Sequence, residues 1–417
     1  MIRLHHVAAL VAISVLSVLD HADGQTLRSL AERKDLKIGA MALDGGWNTP
    51  SQQALVSSEF NVVTVGTYWV RTRPARDRYD WSLTDKVVTW ADGAGLGVHL
   101  HPLLYPANQH NPQWVLDSPH SEARAILEEF ITTAMDRYRG VVDVWDVVNE
   151  AVKPSPSGGM RDCWWLEALG PGYVTEAFRI ARQHDPTATL VYNEHSIELD
   201  NTYENARWNT TKEILTALKA ENLVDGLGWQ LHMKPEDALG GELALAERMQ
   251  WAADLGLKNF VSELDMPIAE GDEALASQGE AYKRLAEIWL EHNNGGWFQT
   301  WGVTDKYSWL GAEKRPLMFD ELAQPKPAYV GVREALEAAT SADFDGDGDV
   351  DGNDFLKWQR GETPAGQEPS DLESWQRQFP EPDEAGEPQS QAAPEPRSIV
   401  VAVWLLAYVS LGKGRVT

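Results

Sequence analysis

The feature that most constrains this chain is a regular alternation. From about residue 36 to 339, short β-branched or apolar runs are followed by longer stretches with helical periodicity. Candidate strands fall at 37–42, 60–65, 97–103, 141–148, 189–193, 226–231, 259–263 and 297–301. Helical patterns at 121–138, 174–184, 211–222 and 242–255 are each long enough to form the crossover that joins parallel strands. Eight strands in repeated βα units predict an α/β fold of the TIM (β/α)8 type, closed into a barrel rather than left as an open doubly wound sheet. No glycine-rich phosphate loop follows the first strand, which argues against a nucleotide-binding sheet.

Charge narrows the partners. The formal net charge of −27 repels nucleic acid and anionic lipid headgroups, so no nucleic acid is expected and the partner should be neutral or cationic. Eighteen tryptophans suit the apolar faces of sugar rings, although large indoles are also ordinary core residues. The lone Cys163 excludes an internal disulfide, and it has no neighbouring base to make it a nucleophile. At the N-terminus, Arg3 precedes an apolar run at 7–19 and the small residue Ala22. This pattern predicts a signal peptide over 1–24 and a protein that is secreted or associated with the cell envelope, the run being short of the ~20 residues a spanning helix needs.

Acidic and amide side chains cluster where strands should end: Asn149 and Glu150 after one apolar run, Glu263 and Asp265 after another. In a barrel the C-terminal ends of all strands open on one face, so residues distant in sequence can converge there. A pair of carboxyls at such a site suits glycosidic bond cleavage, one giving a proton to the leaving oxygen and one attacking the sugar carbon. Taken singly, a glutamate at a strand end can equally be a cap or an ion-pair partner.

The surrounding segments resolve the choice. Trp145 to Ala151 reads WDVVNEA and resembles the acid/base signature of glycoside hydrolase family 10. The resemblance continues in FRIARQHDPTATLVYN at 178–193, VDGLGWQLH at 224–232, VSELD at 261–265, TWGVTDKYSWL at 300–310 and PLMFDELAQPKPAY at 316–329, in the family's order. It implies a catalytic barrel over 30–339 and a retaining endo-β-1,4-xylanase that acts on xylan or a related β-1,4-glycan without a cofactor. Carried over residue by residue, it makes Glu150 the acid/base and Glu263 the nucleophile. Asn149 becomes the contact to the sugar 2-hydroxyl, Gln230 a neighbour of the acid/base, and His232 the histidine on the nucleophile, oriented by Asp265. Trp301 and Trp309 become aromatic walls beside the cleaved bond, and His101 a sugar contact.

Two elements depart from the family pattern. The Glu-Asn-x-Met-Lys-Trp element is replaced by Val65-Gly66-Thr67-Tyr68-Trp69, with Tyr68 in the lysine position. The His-Thr-Leu-Val-Trp-His element becomes His101-Pro102-Leu103-Leu104-Tyr105-Pro106. Each lost donor to a sugar hydroxyl is worth on the order of 1 kcal/mol. The departures leave open a hydrolase of another β-glycan, or a noncatalytic glycan-binding envelope or scaffold protein.

After Thr340 the composition turns acidic and rich in Gly and Pro. Asp343, Asp345, Asp347 and Asp349, with Gly348 at the turn and Asp354 in the twelfth position, have the spacing of a calcium-binding EF-hand loop. Followed by a helical pattern, the loop resembles a dockerin repeat over 341–380, with DLESWQRQF at 371–379 as a degenerate second half; a cohesin-like partner is implied, with a calcium-stabilised spacer as the alternative. Within 381–417, Pro394-Glu395-Pro396, an apolar run and two basic residues resemble a PEP-CTERM sorting tail.

Overall fold

The computed structural model describes residues 25–42, 49–340, 342–345, 350–363 and 369–378. The chain divides into two compact units between Ala339 and Thr340. The signal-peptide and sorting-tail readings, together with Asp347 and Asp349, lie outside the described residues.

Eight parallel strands close the first unit: β1 (Ile38–Met41), β2 (Val62–Gly66), β3 (Gly97–His101), β4 (Val144–Asn149), β5 (Thr189–Glu194), β6 (Gly226–Trp229), β7 (Lys258–Leu264) and β8 (Phe298–Thr300). Each pairs with the next, and β8 returns to β1 through Ile38 opposite Phe298 and Ala40 opposite Thr300. Helices α1 (Pro50–Glu59), α2 (Ser82–Gly93), α3 (Ala123–Arg137), α4 (Tyr173–His184), α5 (Thr202–Ala220), α6 (Leu245–Asp254), α7 (Asp272–Glu291) and α8 (Pro327–Thr340) follow the successive strands. This is the (β/α)8 barrel that the alternation predicts. Among the described residues no helix is long and apolar enough to cross a membrane.

Local chemistry explains where the boundaries differ from the sequence pattern. Strand β4 starts at Val144 rather than 141, because the Val141 and Val142 amides turn back to the Tyr138 carbonyl and close α3. Strand β6 stops at Trp229 because Leu231 takes a left-handed backbone, φ 57°, that an extended strand cannot continue through. Helix α5 begins at Thr202, well before 211, because the Asn201 side chain accepts the Glu204 amide at 2.9 Å and satisfies a donor that the first turn leaves open.

Inward positions repeat every second residue along a strand. Val62, Val144, Val191, Phe260 and Trp297 form a separate apolar cluster. Two residues farther along their strands come Thr64 and Asp146, which join His99 and Gln299 in a buried polar layer. Gln299 donates to Thr64 Oγ1 at 2.5 Å, and His99 bridges Gln299 at 2.8 Å and Asp146 at 2.9 Å. The register shifts between Asp146 and Val148 in β4 and between Val261 and Leu264 in β7, just where each strand delivers a glutamate. Such irregularities re-aim side chains near active sites.

In the second unit, α9 (Gly352–Arg360) and α10 (Pro369–Gln378) pack through Phe355 and Trp375, whose ring centroids lie 5.0 Å apart. Trp375 also donates to the Asp351 carbonyl at 2.6 Å.

Candidate active site

The strand ends of the barrel surround a cavity of about 550 Å³ lined by His101, Asn149, Glu150, Gln230, Glu263 and Trp301, among others. A neighbouring hollow of about 600 Å³, reaching Met41, Thr84 and Tyr307, shares Tyr68, Arg71 and Trp309 with it. The two hollows adjoin along these shared residues.

Glu263 is 4% exposed and is held by a donor on β5 and by a histidine just beyond the end of β6. Asn193 Nδ2 donates to its Oε1 at 2.6 Å, and His232 Nε2 lies 3.2 Å from its Oε2. The other nitrogen of His232 meets Asp265 Oδ1 at 2.9 Å. Burial alone would lower the His232 pKa, but Asp265 and Glu263 outweigh it and raise it well above the ordinary histidine value. Both nitrogens of this imidazole thus face carboxylate oxygens.

Glu150 follows β4 in a left-handed conformation, φ 55°, which turns its carboxyl into the cavity. Tyr105 donates to Oε2 at 2.5 Å and Arg161 donates to the same oxygen at 2.9 Å, while Gln230 donates to Oε1 at 3.3 Å. Burial would raise this carboxyl, but His195, Tyr105 and Arg161 bring it below the usual glutamate value. Burial holds His195 itself down at about 4, so near neutrality it is uncharged and the lasting influence is that of Tyr105 and Arg161.

Asn149 is buried and its Oδ1 accepts from both Asn193 and Gln230 at 3.0 Å, which ties the end of β4 to the groups around Glu263. His101 shares Asp146 with His99, contacting Oδ2 at 2.7 Å, and its Nδ1 lies 3.8 Å from Glu263 Oε1. Burial would raise the Asp146 carboxyl, but the two imidazoles outweigh it and hold it at about 2. Trp301 packs edge-on against His101 at 5.1 Å. Trp309, 58% exposed, donates through Nε1 to Asp265 Oδ2 at 2.6 Å.

The sequence profile of Glycosyl hydrolase family 10 matches residues 26–335, about three quarters of the chain. The chain belongs to glycosyl hydrolase family 10. It is 35% identical over 329 residues to Endo-1,4-beta-xylanase B of Thermotoga neapolitana, covering 75% of this chain and 91% of that protein. It is 31% identical to Endo-1,4-beta-xylanase A of Fusarium oxysporum f. sp. lycopersici, over 64% of this chain and 84% of that one. Among solved structures, native xylanase 10B from Thermotoga maritima superposes with a TM-score of 0.67 at 32% identity, covering 76% of this chain and 99% of that chain. Xylanase 10B from Thermotoga petrophila RKU-1 in complex with xylobiose gives 0.67 at 31% identity, covering 76% and 98%.

All nine residues singled out in the barrel, Glu150, Glu263, His101, Asn149, Gln230, His232, Asp265, Trp301 and Trp309, lie in this one site or directly behind it. Sequence reasoning missed Asn193, Arg161 and His195. Asn193 closes the motif at 178–193 and could have been found there; Arg161 lies in the loop after Glu150, outside every recognisable segment. In the second unit Asp343, Asp345 and Asp354 each bring a carboxylate oxygen within 4.8 Å of the others. Asp354 also accepts the amides of Phe344, Asp345 and Asp351, at 2.5, 3.1 and 2.7 Å.

Proposed function

We propose that this protein is a retaining endo-β-1,4-xylanase in which Glu150 is the acid/base and Glu263 the nucleophile. The observation that carries the reading is the unlike environment of two glutamates in one cavity. Glu263 is buried against Asn193 and His232, donors that suit a carboxylate. Glu150 keeps one oxygen with a single long contact, to Gln230. In the first step Glu150 gives its proton to the glycosidic oxygen as the C1–O bond breaks, and Glu263 attacks C1 to form a glycosyl ester. In the second, Glu150 takes a proton from water as the water oxygen attacks C1 and frees Glu263. His232, held by Asp265, stabilises the Glu263 carboxylate when it leaves. Asn149 is placed to bond the sugar 2-hydroxyl, an interaction that strengthens toward the transition state. The relatives named for 1,4-β-xylan support the substrate.

The test is hydrolysis of xylan followed by NMR, with Glu263→Ala as control. Early β-configured oligosaccharides that the control does not form support the reading; α-configured products, or equal release by the control, overturn it. Tyr68 and Tyr105 in the glycone wall favour a second reading, another β-glycan as the preferred substrate. Initial rates on xylan, mixed-linkage glucan and an aryl cellobioside separate the two.

For the second unit the reading is a calcium-binding, dockerin-like module with a cohesin-like partner. Asp343, Asp345 and Asp354 offer only carboxylate oxygens, the donor set a hard divalent cation prefers. Secretion or envelope association is proposed on the basic and apolar pattern of the N-terminus and the Pro394-Glu395-Pro396 tail.

A further inference from the structure

Glu150 is gripped unevenly. Both strong contacts fall on Oε2, from the Tyr105 hydroxyl at 2.5 Å and the Arg161 guanidinium at 2.9 Å, and His195 Nε2 stands 3.5 Å from the same atom. Arg161 also donates through Nε to the Glu150 main-chain carbonyl at 2.7 Å, so it fixes backbone and carboxyl together. Its own amide bonds the Ala151 carbonyl at 2.7 Å, and the Val152–Met160 bridge folds its loop back on the strand end. Tyr105 is held in turn by a parallel stack on His110, centroids 3.9 Å apart and planes 8° from parallel. Neither grip is loose.

We propose that Arg161 and Tyr105 are positioning residues that anchor Glu150 through Oε2 and leave Oε1 as the oxygen that carries the moving proton. This rests on the reading of Glu150 as the acid/base. An oxygen that already accepts from a guanidinium and a phenol is a poor site for a proton, whereas among the described residues Oε1 accepts only from Gln230, at 3.3 Å. When Glu150 is protonated, Oε1–H points away from the anchored atom and is free to reach the glycosidic oxygen. When Glu150 is ionised, Oε1 takes the proton of the attacking water while Oε2 stays in place. One oxygen serves both half-reactions, and the carboxyl need not rotate between them.

The other groups that bear on Glu150 come from the ends of β2, β3, β5, β6 and β7. From the ends of β2 and β3 and the loops after them they are Tyr68, Arg71, His101 and His110. From β5 they are Glu194 and His195, and from β6 and β7, His232 and Glu263. Of these, Glu194 is neutralised by the wholly buried Arg207 at 2.7 Å. Among the described residues Arg161 is the permanent positive charge ion-paired with Glu150, while Arg71 lines the same cavity.

Donors to the ionised form lower a carboxyl's pKa, so their loss raises it and moves the basic limb of the activity profile upward. In the full-length protein, kcat/KM is measured against pH on aryl xylobiosides of good and poor leaving groups. Arg161→Gln should move the basic limb up by about one pH unit. It should also lower kcat/KM on the order of tenfold for the poor leaving group, with a smaller effect on the good one, part of the 10²–10⁴-fold that a placed acid contributes. Tyr105→Phe, which keeps the ring on His110, should shift the limb in the same direction by less. Arg161→Lys, which keeps the charge, should return the limb toward its starting position. Limbs that superpose, with equal losses on both leaving groups, would overturn the anchor even where thermal melts show the variants folded; should Arg161→Gln not fold, Tyr105→Phe and Arg161→Lys decide. Glu150→Ala separates this from the parent reading: no dependence on the leaving group there removes the acid/base assignment itself.

Discussion

Asn193 donates its amide to Glu263 Oε1 at 2.6 Å, and it can do so because the residue facing it across the sheet has no side chain. A Cβ at Gly228 would lie 2.0 Å from Asn193 Oδ1, closer than atoms can approach. The same Oδ1 accepts from Ser262 at 2.6 Å, so the amide is oriented from both ends. Gly228→Ala should push Asn193 off the Glu263 carboxylate. We expect a loss of about 1–3 kcal/mol in stability, typical of overpacking, measured by urea denaturation. Steady-state kinetics should show a fall in kcat larger than the change in KM, because the displaced amide holds the Glu263 carboxylate and not the substrate chain.

His232 links pH to stability. Its pKa is raised in the folded state, chiefly by Asp265 once the opposing effect of burial is overcome. A histidine whose folded pKa exceeds its unfolded value of about 6.5 stabilises most below that value and loses the contribution as pH rises through the folded pKa. Asp265→Asn removes the main cause of the shift. Its unfolding free energy should therefore fall less than that of the parent as pH is raised from 6 to 10, as read from denaturation curves across that range. Parallel curves for the two proteins would remove Asp265 as the cause.

Asp146 acts in the opposite direction. Its carboxyl is held at about 2, against an ordinary 3.8, by His99 and His101 in the barrel interior. A depressed carboxyl stabilises above its unfolded pKa, so this contribution is present above about pH 4 and disappears as pH falls from there through 2, a change of about 2 kcal/mol. Asp146→Asn should flatten that part of the acid limb of the stability curve. Asp146→Ala, which leaves two buried imidazoles without their acceptor, should cost about 3–5 kcal/mol at neutral pH.

The barrel was legible because its evidence is distributed: eight apolar runs and their crossovers repeat one pattern, and the local exceptions at Val141 and Leu231 moved boundaries without removing strands. Glu150 and Glu263 were legible because each follows a strand and sits in a long recognisable segment. Arg161 was not, since a loop arginine eleven residues after Glu150 has no periodicity to announce it, and its reach back depends on the Val152–Met160 bridge. Tyr105 was visible only as a replaced tryptophan. Its hydroxyl meets Glu150 at 2.5 Å because Glu150 leaves β4 with a left-handed backbone, φ 55°, and such a local turn leaves no mark in a hydrophobic pattern.

The second unit carries a separate prediction. Asp354 both offers an oxygen to the acidic cluster and receives three amides from the segment before α9. Calcium titration of the full-length protein should give binding heat that Asp354→Ala abolishes, with xylan hydrolysis unchanged. Equal heat from parent and variant would move the cation elsewhere or remove it.

Trp309 separates binding from chemistry. Its indole is more than half exposed at the junction of the two hollows, where a sugar face can stack, while its Nε1 donates to the Asp265 oxygen that His232 does not use. Trp309→Phe keeps an aromatic face and deletes only the donor, so KM should change little and kcat should fall modestly as Asp265 and His232 loosen. Trp309→Ala deletes both. Loss of stacking worth about 1 kcal/mol raises KM on the order of fivefold, in addition to the kcat effect shared with Phe. The comparison is informative because the two roles of one side chain fall on different kinetic constants: if Phe and Ala raise KM equally, the indole binds through its nitrogen and not its face; if Phe leaves kcat untouched, the Asp265 contact contributes nothing to catalysis.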